Sequence, residues 1–367
     1  MPETEPSRFD HSPALPTVSV VMPVYNALPH LDEAIESILG QTFRNFEFVI
    51  LDDCSTDGSR ERAADWAARD SRIRLLKSGE NLGPVGSSNV VARAAGAGLV
   101  ARMDADDVSE PSRLAEQVRV LQQYQGIGLV GTLCDLIDAA GRRLRGPETW
   151  RLARQSVSVP FAHGTIMYRR ELFDRVGSYR EACRYWEDQD LVVRMAAVAG
   201  VAVIPRALYR VRIWPTSTRV ASNPHQIEQS MDRMYRAADR LRSGAEYDDI
   251  LTDSVTESSR VDPRVFMAVG AVQLWGGGRP DMLRPLLKRG RLSFDGRTVL
   301  SVVWAVWALL SPSSLRALLR LILRARNRSE SAHLHGEAPV LWQPGVPPRE
   351  VVGDSRPPPL ARRSEAE

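Results

Sequence analysis

The stretch that decides the fold is residues 17–59, "TVSVVMPVYNALPHLDEAIESILGQTFRNFEFVILDDCSTDGS". It begins and ends with runs of β-branched and other apolar residues, and a polar turn follows each run. Between the runs, apolar residues recur at helical spacing from Leu31 to Leu39. Continuous apolar runs are typical of strands that are buried on both faces, and a strand–helix–strand order is typical of a parallel sheet. The stretch therefore predicts a buried β-α-β unit.

The same alternation continues beyond this unit. Helices are expected at 59–70 and 87–98, and strands at 73–78 and 99–107. Further elements follow, among them a strand at 127–138 that enters a hairpin, and a late strand pair at 201–214. The predicted fold class is α/β, a Rossmann-like, mostly parallel sheet flanked by helices.

The chain has 367 residues, 43% of them hydrophobic, which is enough for one large domain with an extension. The predicted organisation has four parts. They are a flexible tail at 1–16, an α/β domain at 17–220, a helical extension at 221–325 and a disordered tail at 326–367. The formal net charge of +3 favours no particular class of partner. The cysteines are Cys54, Cys134 and Cys183, and their wide separation argues against a disulfide framework or a zinc site and fits a reducing cytosol.

The sequence contains no uncharged apolar run of about 18 residues, the minimum for a membrane-spanning helix. The N-terminal tail has no apolar core of the kind found in a secretory signal. Residues 298–325 place tryptophans and apolar residues beside several arginines, which suits contact with anionic headgroups. The same segment could instead form a helical hairpin packed on the α/β domain. The expected location is the cytoplasm. If residues 298–325 contact headgroups, the protein would lie peripherally at the inner face of the membrane.

Carboxylates gather at the ends of two predicted strands. Asp52 and Asp53 end one strand, and Asp104 and Asp106 end another within the segment "ARMDADD". Because the carboxyl ends of parallel strands share one edge of a sheet, these side chains are expected to converge where a ligand binds. Hard divalent cations prefer carboxylate oxygens, and Mg²⁺ often takes one or two carboxylates together with substrate phosphates.

An alternative interpretation of this acidic segment is a solvated turn. In that interpretation Asp107 and Ser109 would cap the helix that follows in "EPSRLAEQ". The residues alone leave both interpretations open.

Several motifs, in this order and spacing, resemble those of glycosyltransferase family 2, whose fold is called GT-A. The motifs are "VSVVMPVYN", "VILDDCSTDGS", "NLG", "ARMDADD", "EPSRLAEQ", "HGTIMYRRELFDRVGSY", "EDQDLVVRM" and "YRVR". The resemblance covers roughly residues 17–214. It implies an inverting transferase that moves a sugar from a nucleoside-diphosphate donor, a UDP-sugar by default, to a hydroxyl on a glycan or lipid-linked acceptor. It also implies Mn²⁺ or Mg²⁺ as cofactor and a role in surface polysaccharide or glycolipid synthesis.

The resemblance assigns residues to the donor. Asp53 would bond the base, Asp104 the ribose, and Asp106 the metal that bridges the diphosphate. The other donor contacts implied are Pro23, Tyr25, Asn26, Asn81 and Arg212. Two of these carry alternatives, since Asn81 could belong to an ordinary turn and the family pattern often has a histidine where Arg212 stands.

The resemblance also assigns the catalytic base. An inverting transfer needs a carboxylate that removes the proton of the attacking hydroxyl. Asp188 in "WEDQDL" matches the family's base, with Glu187 as its neighbour. Their alternative role is to supply negative charge to a helix N-terminus. His163 matches a family position near the acceptor, although a lone histidine is more often structural. Trp186 could form an aromatic wall for the sugar or the acceptor, or could equally belong to the core.

Other function classes fit less well. A sugar nucleotidyltransferase would need a glycine-rich basic loop after the first strand, and "PVYNALPH" has neither feature. A dehydrogenase would need a G-x-G-x-x-G turn after a strand, and none is present. Nucleic-acid binding would rest on an arginine-rich tail that also carries acidic residues. A partner subunit that binds nucleotide sugars without catalysis stays open as an alternative, although Asp106 and Asp188 argue against it.

Overall fold

The computed structural model describes residues 16–145, 161–184, 187–213, 338–343 and 346–351. Within these ranges the chain forms strands and helices in alternation. The strands are β1 Val18–Val24, β2 Phe46–Asp52, β3 Ile73–Lys77, β4 Leu99–Arg102, β5 Val108–Ser109, β6 Ile127–Ile137, β7 Arg143–Arg145, β8 Met167–Arg169, β9 Gly200–Arg212, β10 Val340–Gln343 and β11 Val346–Glu350. The helices are α1 Leu28–Leu39, α2 Ser59–Arg69, α3 Gly83–Arg93, α4 Arg113–Gln123, α5 Arg170–Val176 and α6 Glu187–Ala196.

All described strands belong to one sheet, whose main path has the order β11-β10-β9-β6-β8-β4-β1-β2-β3. The half that the opening stretch predicts, β4-β1-β2-β3, is entirely parallel. Strand β8 pairs antiparallel with β4 and β6, and β6 and β9 run parallel again. The predicted α/β architecture with a parallel sheet flanked by helices is confirmed.

Two apolar layers cover the two faces of the sheet. Successive residues of β1 point to opposite faces, so that Val20 and Met22 pack in one layer and Val21 packs in the other. The first layer takes its helical residues from α1, α2 and α4, and the second from α3, α5 and α6. Helices that cover both faces leave the strand ends as the accessible part of the sheet.

The predicted hairpin after β6 is confirmed, because β7 pairs antiparallel with β6. The predicted late strand pair is instead one long strand, β9. Its register against β6 shifts where Ile204 pairs with Thr132 and Ala207 pairs with Leu133. The two residues skipped include Pro205, which lacks an N–H for the ladder, so the strand bulges there without turning back.

Part of the tail predicted to be disordered is ordered. Strand β10 pairs antiparallel with β9 from Val340 opposite Val203, and β11 pairs with β10 at the edge of the sheet. Disorder is therefore the wrong prediction for residues 338–343 and 346–351. The predicted helical extension at 221–325, with its tryptophan- and arginine-containing segment, lies outside the described residues. In the ranges that the structure covers, no helix has the length and apolarity that crossing a bilayer requires.

Candidate active site

The carboxyl ends of β1, β2 and β4 meet at one edge of the sheet, as the sequence predicts. The N–H of Asp53 donates to the carbonyl of Val24 at 2.8 Å, and the N–H of Met103 donates to the carbonyl of Val21 at 3.0 Å. The residues that follow β2 and β4 therefore flank the end of β1. This places Asp53 on one side of that strand and Asp104 on the other.

The turn after β1 is fixed to the turn after β2. Asn26 adopts a left-handed backbone conformation with φ +50°, and its Oδ1 accepts the N–H of Thr56 at 2.8 Å. Pro23 is half-buried in β1, opposite Leu51. The side chain of Tyr25 is left 53% exposed at the edge of the site, which makes it available to a ligand.

Asp52 and Asp53 are adjacent in sequence but have different environments. Asp52 is buried, and its Oδ2 accepts Nε of Arg60 at 2.6 Å, so its charge is used within the protein. Oδ1 of Asp53 accepts the N–H of Leu82 at 2.8 Å. Burial raises the pKa of Asp53, an effect that the backbone N–H groups of Leu82 and Gly83 partly counter.

Asn81 makes a local contact at the start of α3. Its Oδ1 accepts the N–H of Gly83 at 3.0 Å, and the residue is exposed. This geometry matches the turn interpretation offered for Asn81. It also leaves the side chain at the same edge as Asp53.

Asp104 is held by a buried arginine that the sequence analysis missed. Arg102 reaches Oδ1 of Asp104 with Nε at 3.0 Å and Nη2 at 2.9 Å, and its Nη1 donates to Oγ of Ser88 on α3 at 3.0 Å. Burial alone would raise the pKa of Asp104, but the charge and hydrogen bond of Arg102, together with His163 and Arg113, outweigh that effect and lower it. The carboxylate is thus kept charged and oriented. The sequence does contain a signal for this residue, because Arg102 is a charged residue at the end of the otherwise apolar strand β4.

Asp107 does not cap α4, so that alternative is wrong. Its Oδ1 accepts the backbone N–H of Arg212 at 2.7 Å, while Ser109 lies in β5 and accepts Nε2 of Gln41 at 3.0 Å. Helix α4 begins after Ser112. Burial, and then the negative charges of Asp106 and Asp104, raise the pKa of Asp107 well above its usual range.

Arg212 lies behind the acidic turn with its guanidinium fully engaged in the protein. The guanidinium donates to the carbonyl of Asp106 at 2.8 Å and to Oε2 of Glu33 at 2.5 Å. It also donates to the carbonyls of Asp138 and Ala139, both at 3.2 Å. Arg212 is only 2% exposed. Its contacts within the protein are therefore enough to explain where its guanidinium lies, and no contact with phosphate is needed.

One small recess brings His163, predicted on the acceptor side, together with Asp188, the candidate base. It is lined by Phe161, His163, Ile166, Asp188 and Val192. Burial and the charge of Arg102 lower the pKa of His163 to about 4, while the charges of Asp104 and Asp188 oppose that shift. His163 is therefore a neutral ring at neutral pH, with acidic residues of both predicted subsites near it.

The neutral His163 ring is fixed by a tyrosine. Its Nε2 lies 2.9 Å from the hydroxyl of Tyr179, and the main chain of Tyr179 exchanges two hydrogen bonds with the side chain of Asn89, at 2.8 and 2.9 Å. Helix α3 therefore connects the acceptor side with the donor side.

The acidic residues of α6 separate into two kinds. Asp190 is buried and accepts Nη2 of Arg194 at 2.6 Å, and Arg194 in turn donates to three carbonyls at the end of α5. Glu187 and Asp188 lie in the first turn of the helix and are half-buried. Trp186 lies outside the described residues.

The donor set at the acidic turn fits a divalent cation that takes most of its ligands elsewhere. Asp106 lies on the partly exposed side of the turn, between Asp104, which pairs with Arg102, and Asp107, which accepts the N–H of Arg212. Across the described ranges, no group of three or more histidine, cysteine, aspartate or glutamate side chains is arranged to hold a metal. A site with one carboxylate plus diphosphate and water oxygens is typical of Mg²⁺.

Comparison with known proteins supports the resemblance. The sequence profile described as Glycosyl transferase family 2 matches residues 19–177. A relative from Bacillus subtilis, named putative glycosyltransferase EpsE, is 35% identical over 238 residues, which cover 62% of this chain and 84% of the relative. The succinoglycan biosynthesis protein ExoO of Rhizobium meliloti is 31% identical over 212 residues, which cover 53% of this chain and 60% of the relative.

Solved structures with a similar chain course include residues 1–349 of S. aureus TarS in complex with UDP-GlcNAc, with a TM-score of 0.49 and 20% identity. That match covers 64% of this chain and 70% of the other. The mannosyltransferase PcManGT from Pyrobaculum calidifontis, in complex with GDP-Man and Mn²⁺, gives a TM-score of 0.45 at 20% identity, covering 86% and 87% of the two chains. The sequence relationships establish that this chain is a glycosyltransferase and belongs to glycosyltransferase family 2.

Proposed function

We propose that this glycosyltransferase moves a sugar, with inversion at the anomeric carbon, from a nucleoside-diphosphate donor to a hydroxyl acceptor, and that it needs a divalent cation. The observation that carries the proposal is the position of His163, whose ring experiences the charges of both Asp104 and Asp188. His163 and Asp188 also line the same recess, which supports placing the donor-side carboxylate and the candidate base at one reaction centre.

The donor subsite is supported by the edge formed where β1, β2 and β4 end. Tyr25 offers an exposed ring, and Asp53 offers a carboxylate that is not neutralised by an arginine in the way that Asp52 is. Asp104, oriented by Arg102, suits a ribose hydroxyl, since a charged carboxylate is a strong acceptor. Pro23, Asn26 and Asn81 would contribute by shaping the two turns that border the nucleotide.

A divalent cation at Asp106 would neutralise the charge that develops on the departing diphosphate. The chain's own part is to present that carboxylate on a turn whose backbone is bonded to β9. We assign Arg212 to this supporting role and not to direct contact with phosphate, because its guanidinium is buried and bonded to protein acceptors.

Asp188 is the proposed base. It would accept the proton of the acceptor hydroxyl as the oxygen attacks the anomeric carbon, in a transition state with oxocarbenium character. The acceptor hydroxyl would approach Asp188 beside His163, and the neutral imidazole can hydrogen-bond a sugar hydroxyl without adding charge. Glu187 would stand beside the base, and Trp186 is proposed as an acceptor contact.

The proposed setting is the synthesis of a surface polysaccharide or glycolipid, with a glycan or a lipid-linked acceptor. The name of the relative ExoO supports a polysaccharide product. A UDP-sugar is the donor we would try first, and peripheral contact with a membrane through residues 298–325 stays a prediction.

The experiment that tests this function is release of nucleoside diphosphate from a panel of UDP-, GDP- and other nucleotide sugars, with Mn²⁺, Mg²⁺ or EDTA. Slow hydrolysis of one donor, lost in EDTA and in Asp106→Ala, is the expected result. Binding of UDP and GDP is measured in parallel, because water can be a poor acceptor. An absence of both turnover and metal-dependent nucleotide binding would contradict the proposal.

A further inference from the structure

A tyrosine hydroxyl lies directly behind the acidic turn. The N–H of Asp104 donates to Oη of Tyr209 at 3.1 Å. Tyr209 is fully buried and is 105 residues from Asp104 in sequence. This hydroxyl therefore holds the start of the turn that carries Asp106.

The position of that hydroxyl is determined by its surroundings. A Cβ at Gly164 would overlap the Tyr209 hydroxyl, so the approach requires glycine there. On the ring face lies the guanidinium of Arg113, 5.1 Å from the ring centroid. Arg113 also donates to the carbonyls of Arg102, at 2.9 Å, and Gly164. Arg113 thus links the Tyr209 ring to the carbonyl of Arg102, just before the acidic turn.

A second residue of β9 fixes the rest of the turn. The main-chain N–H of Arg212 bonds the Asp107 carboxylate at 2.7 Å, and its side-chain Nε bonds the carbonyl of Asp106 at 2.8 Å. Tyr209 and Arg212 together contact Asp104, Asp106 and Asp107. Strand β5, which follows the turn, pairs with β9 between them at Val108 and Arg210.

We propose that Tyr209 and Arg212 are positioning residues that hold the Asp104–Asp107 turn in its binding geometry before the cation and the nucleotide arrive. This inference rests on the proposed function, since it assigns the turn to a cation and a diphosphate. Like charges on one short turn repel each other, so an unsupported turn would spread and would have to be reordered on binding. Supporting it in advance removes that cost and raises affinity.

The chain offers a matched control for Tyr209. Tyr168 is also a buried tyrosine of the same sheet, 1% exposed, but its hydroxyl has no hydrogen-bond partner in the structure's described residues. Tyr209→Phe and Tyr168→Phe each remove one hydroxyl oxygen from a buried ring, so the two substitutions are chemically the same. Only the removal at Tyr209 takes a bond away from the acidic turn.

The test compares Tyr209→Phe, Tyr168→Phe and the wild-type chain. Each protein is titrated calorimetrically with UDP and with GDP in the presence of Mn²⁺. Hydrogen–deuterium exchange of the Asp104 amide is measured in the metal-free proteins. We expect Tyr209→Phe to weaken Mn²⁺-dependent nucleotide binding about three- to tenfold, the equivalent of one lost hydrogen bond. We also expect its Asp104 amide to exchange faster. Tyr168→Phe should match the wild type in both measurements.

Wild-type affinity in Tyr209→Phe, whatever its melting temperature, would overturn the inference. A second variant guards against loss of folding: Arg212→Lys keeps a cation near Glu33 but cannot reproduce the Nε bond to Asp106, and it should weaken the same binding. Failure of the wild type itself to bind Mn²⁺ with either nucleotide would overturn the proposed metal site and the inference with it. An Asp104 amide that exchanges more slowly in Tyr209→Phe than in the wild type and in Tyr168→Phe would likewise contradict the inference.

Discussion

The guanidinium of Arg102 and the carboxylate of Asp104 form a two-pronged ion pair, in which Nε at 3.0 Å and Nη2 at 2.9 Å contact the same oxygen, Oδ1. The arginine is 7% exposed and the aspartate lies at the open edge of the sheet. The pair therefore places the buried, positively charged guanidinium of Arg102 at the point where the donor would bind. It also connects that point to α3 through Ser88.

Replacing this cation should affect both folding and binding. Arg102→Met leaves Asp104 without its partner, so we expect a loss of about 2–4 kcal/mol in the free energy of unfolding, since breaking a largely buried pair is costly. The pKa of Asp104 should rise and nucleoside-diphosphate affinity should fall about tenfold. Urea unfolding and calorimetry measure the two effects.

Arg119→Met is the control, because Arg119 pairs with Glu116 on the surface of α4 with 55% of its side chain exposed. Its effect on unfolding should stay below about 1 kcal/mol. Equal effects of the two variants would contradict the importance assigned to the Arg102–Asp104 pair.

The adjacent residues Asp52 and Asp53 should respond in opposite ways to the same substitution. Asp52→Asn weakens the buried contact with Arg60 and should lower stability by about 1–3 kcal/mol with little change in nucleoside binding. Asp53→Asn can still accept the N–H of Leu82, so stability should change little, while affinity for UDP or GDP should fall about tenfold or more. Melting curves and nucleotide titrations on both proteins decide the matter. A binding defect confined to Asp52→Asn would reverse the assignment.

His163 should make the stability of the protein depend on pH. Its pKa is about 4 in the folded chain and has the ordinary value of 6.5 in the unfolded chain. Between these values the unfolded chain takes up a proton that the folded chain does not. The stabilisation is therefore complete above pH 6.5 and is lost as the pH falls toward 4. Because His163 is only half-buried as a residue, we expect a loss on the order of 1–2 kcal/mol relative to His163→Gln. Parallel stability–pH curves for the two proteins would contradict this prediction.

The parallel half of the sheet could be predicted from the sequence because its strands are continuous apolar runs with helices between them. In β1 and β2 nearly every residue is buried, so the signal is strong. Strand β11 gave no such signal, since its sequence "VPPRE" contains two prolines, which are tolerated at the sheet edge where it lies. The bulge in β9 at Pro205 was misjudged for a related reason: proline marks either a turn or a bulge, and only the pairing with β6 distinguishes the two.

The carboxylates of the candidate site could be located from motifs, but their buried partners could not. Asp104 meets Tyr209 only because β5 and β9 pair, and no local pattern encodes a contact across 105 residues. The family resemblance predicts that Arg212 contacts the nucleotide-sugar donor, whereas in the structure its guanidinium bonds protein acceptors. Its neighbours Glu33 and Asp138 belong to distant elements, and their contacts with it emerge only from the fold.

Asp190 and Asp188 lie on the same helical turn and should differ sharply. Asp190→Asn weakens the buried pair with Arg194, which ties α6 to the end of α5, so we expect a loss of about 2–4 kcal/mol in stability. Its turnover at a temperature where the variant is folded should remain within about threefold of the wild type. Thermal unfolding followed by an assay below the melting temperature tests both parts, and full stability in Asp190→Asn would show that the pair matters less than its burial indicates.

The most direct test of the whole account is the turnover of Asp188→Asn with the donor that the wild type hydrolyses or transfers. The base should contribute about 10²- to 10⁴-fold, so we predict that release of nucleoside diphosphate falls at least about a hundredfold. Nucleotide affinity and melting temperature should stay close to the wild-type values, because only the proton acceptor is removed. Turnover within a few-fold of an active wild type would show that Asp188 is not the base and would contradict the central claim.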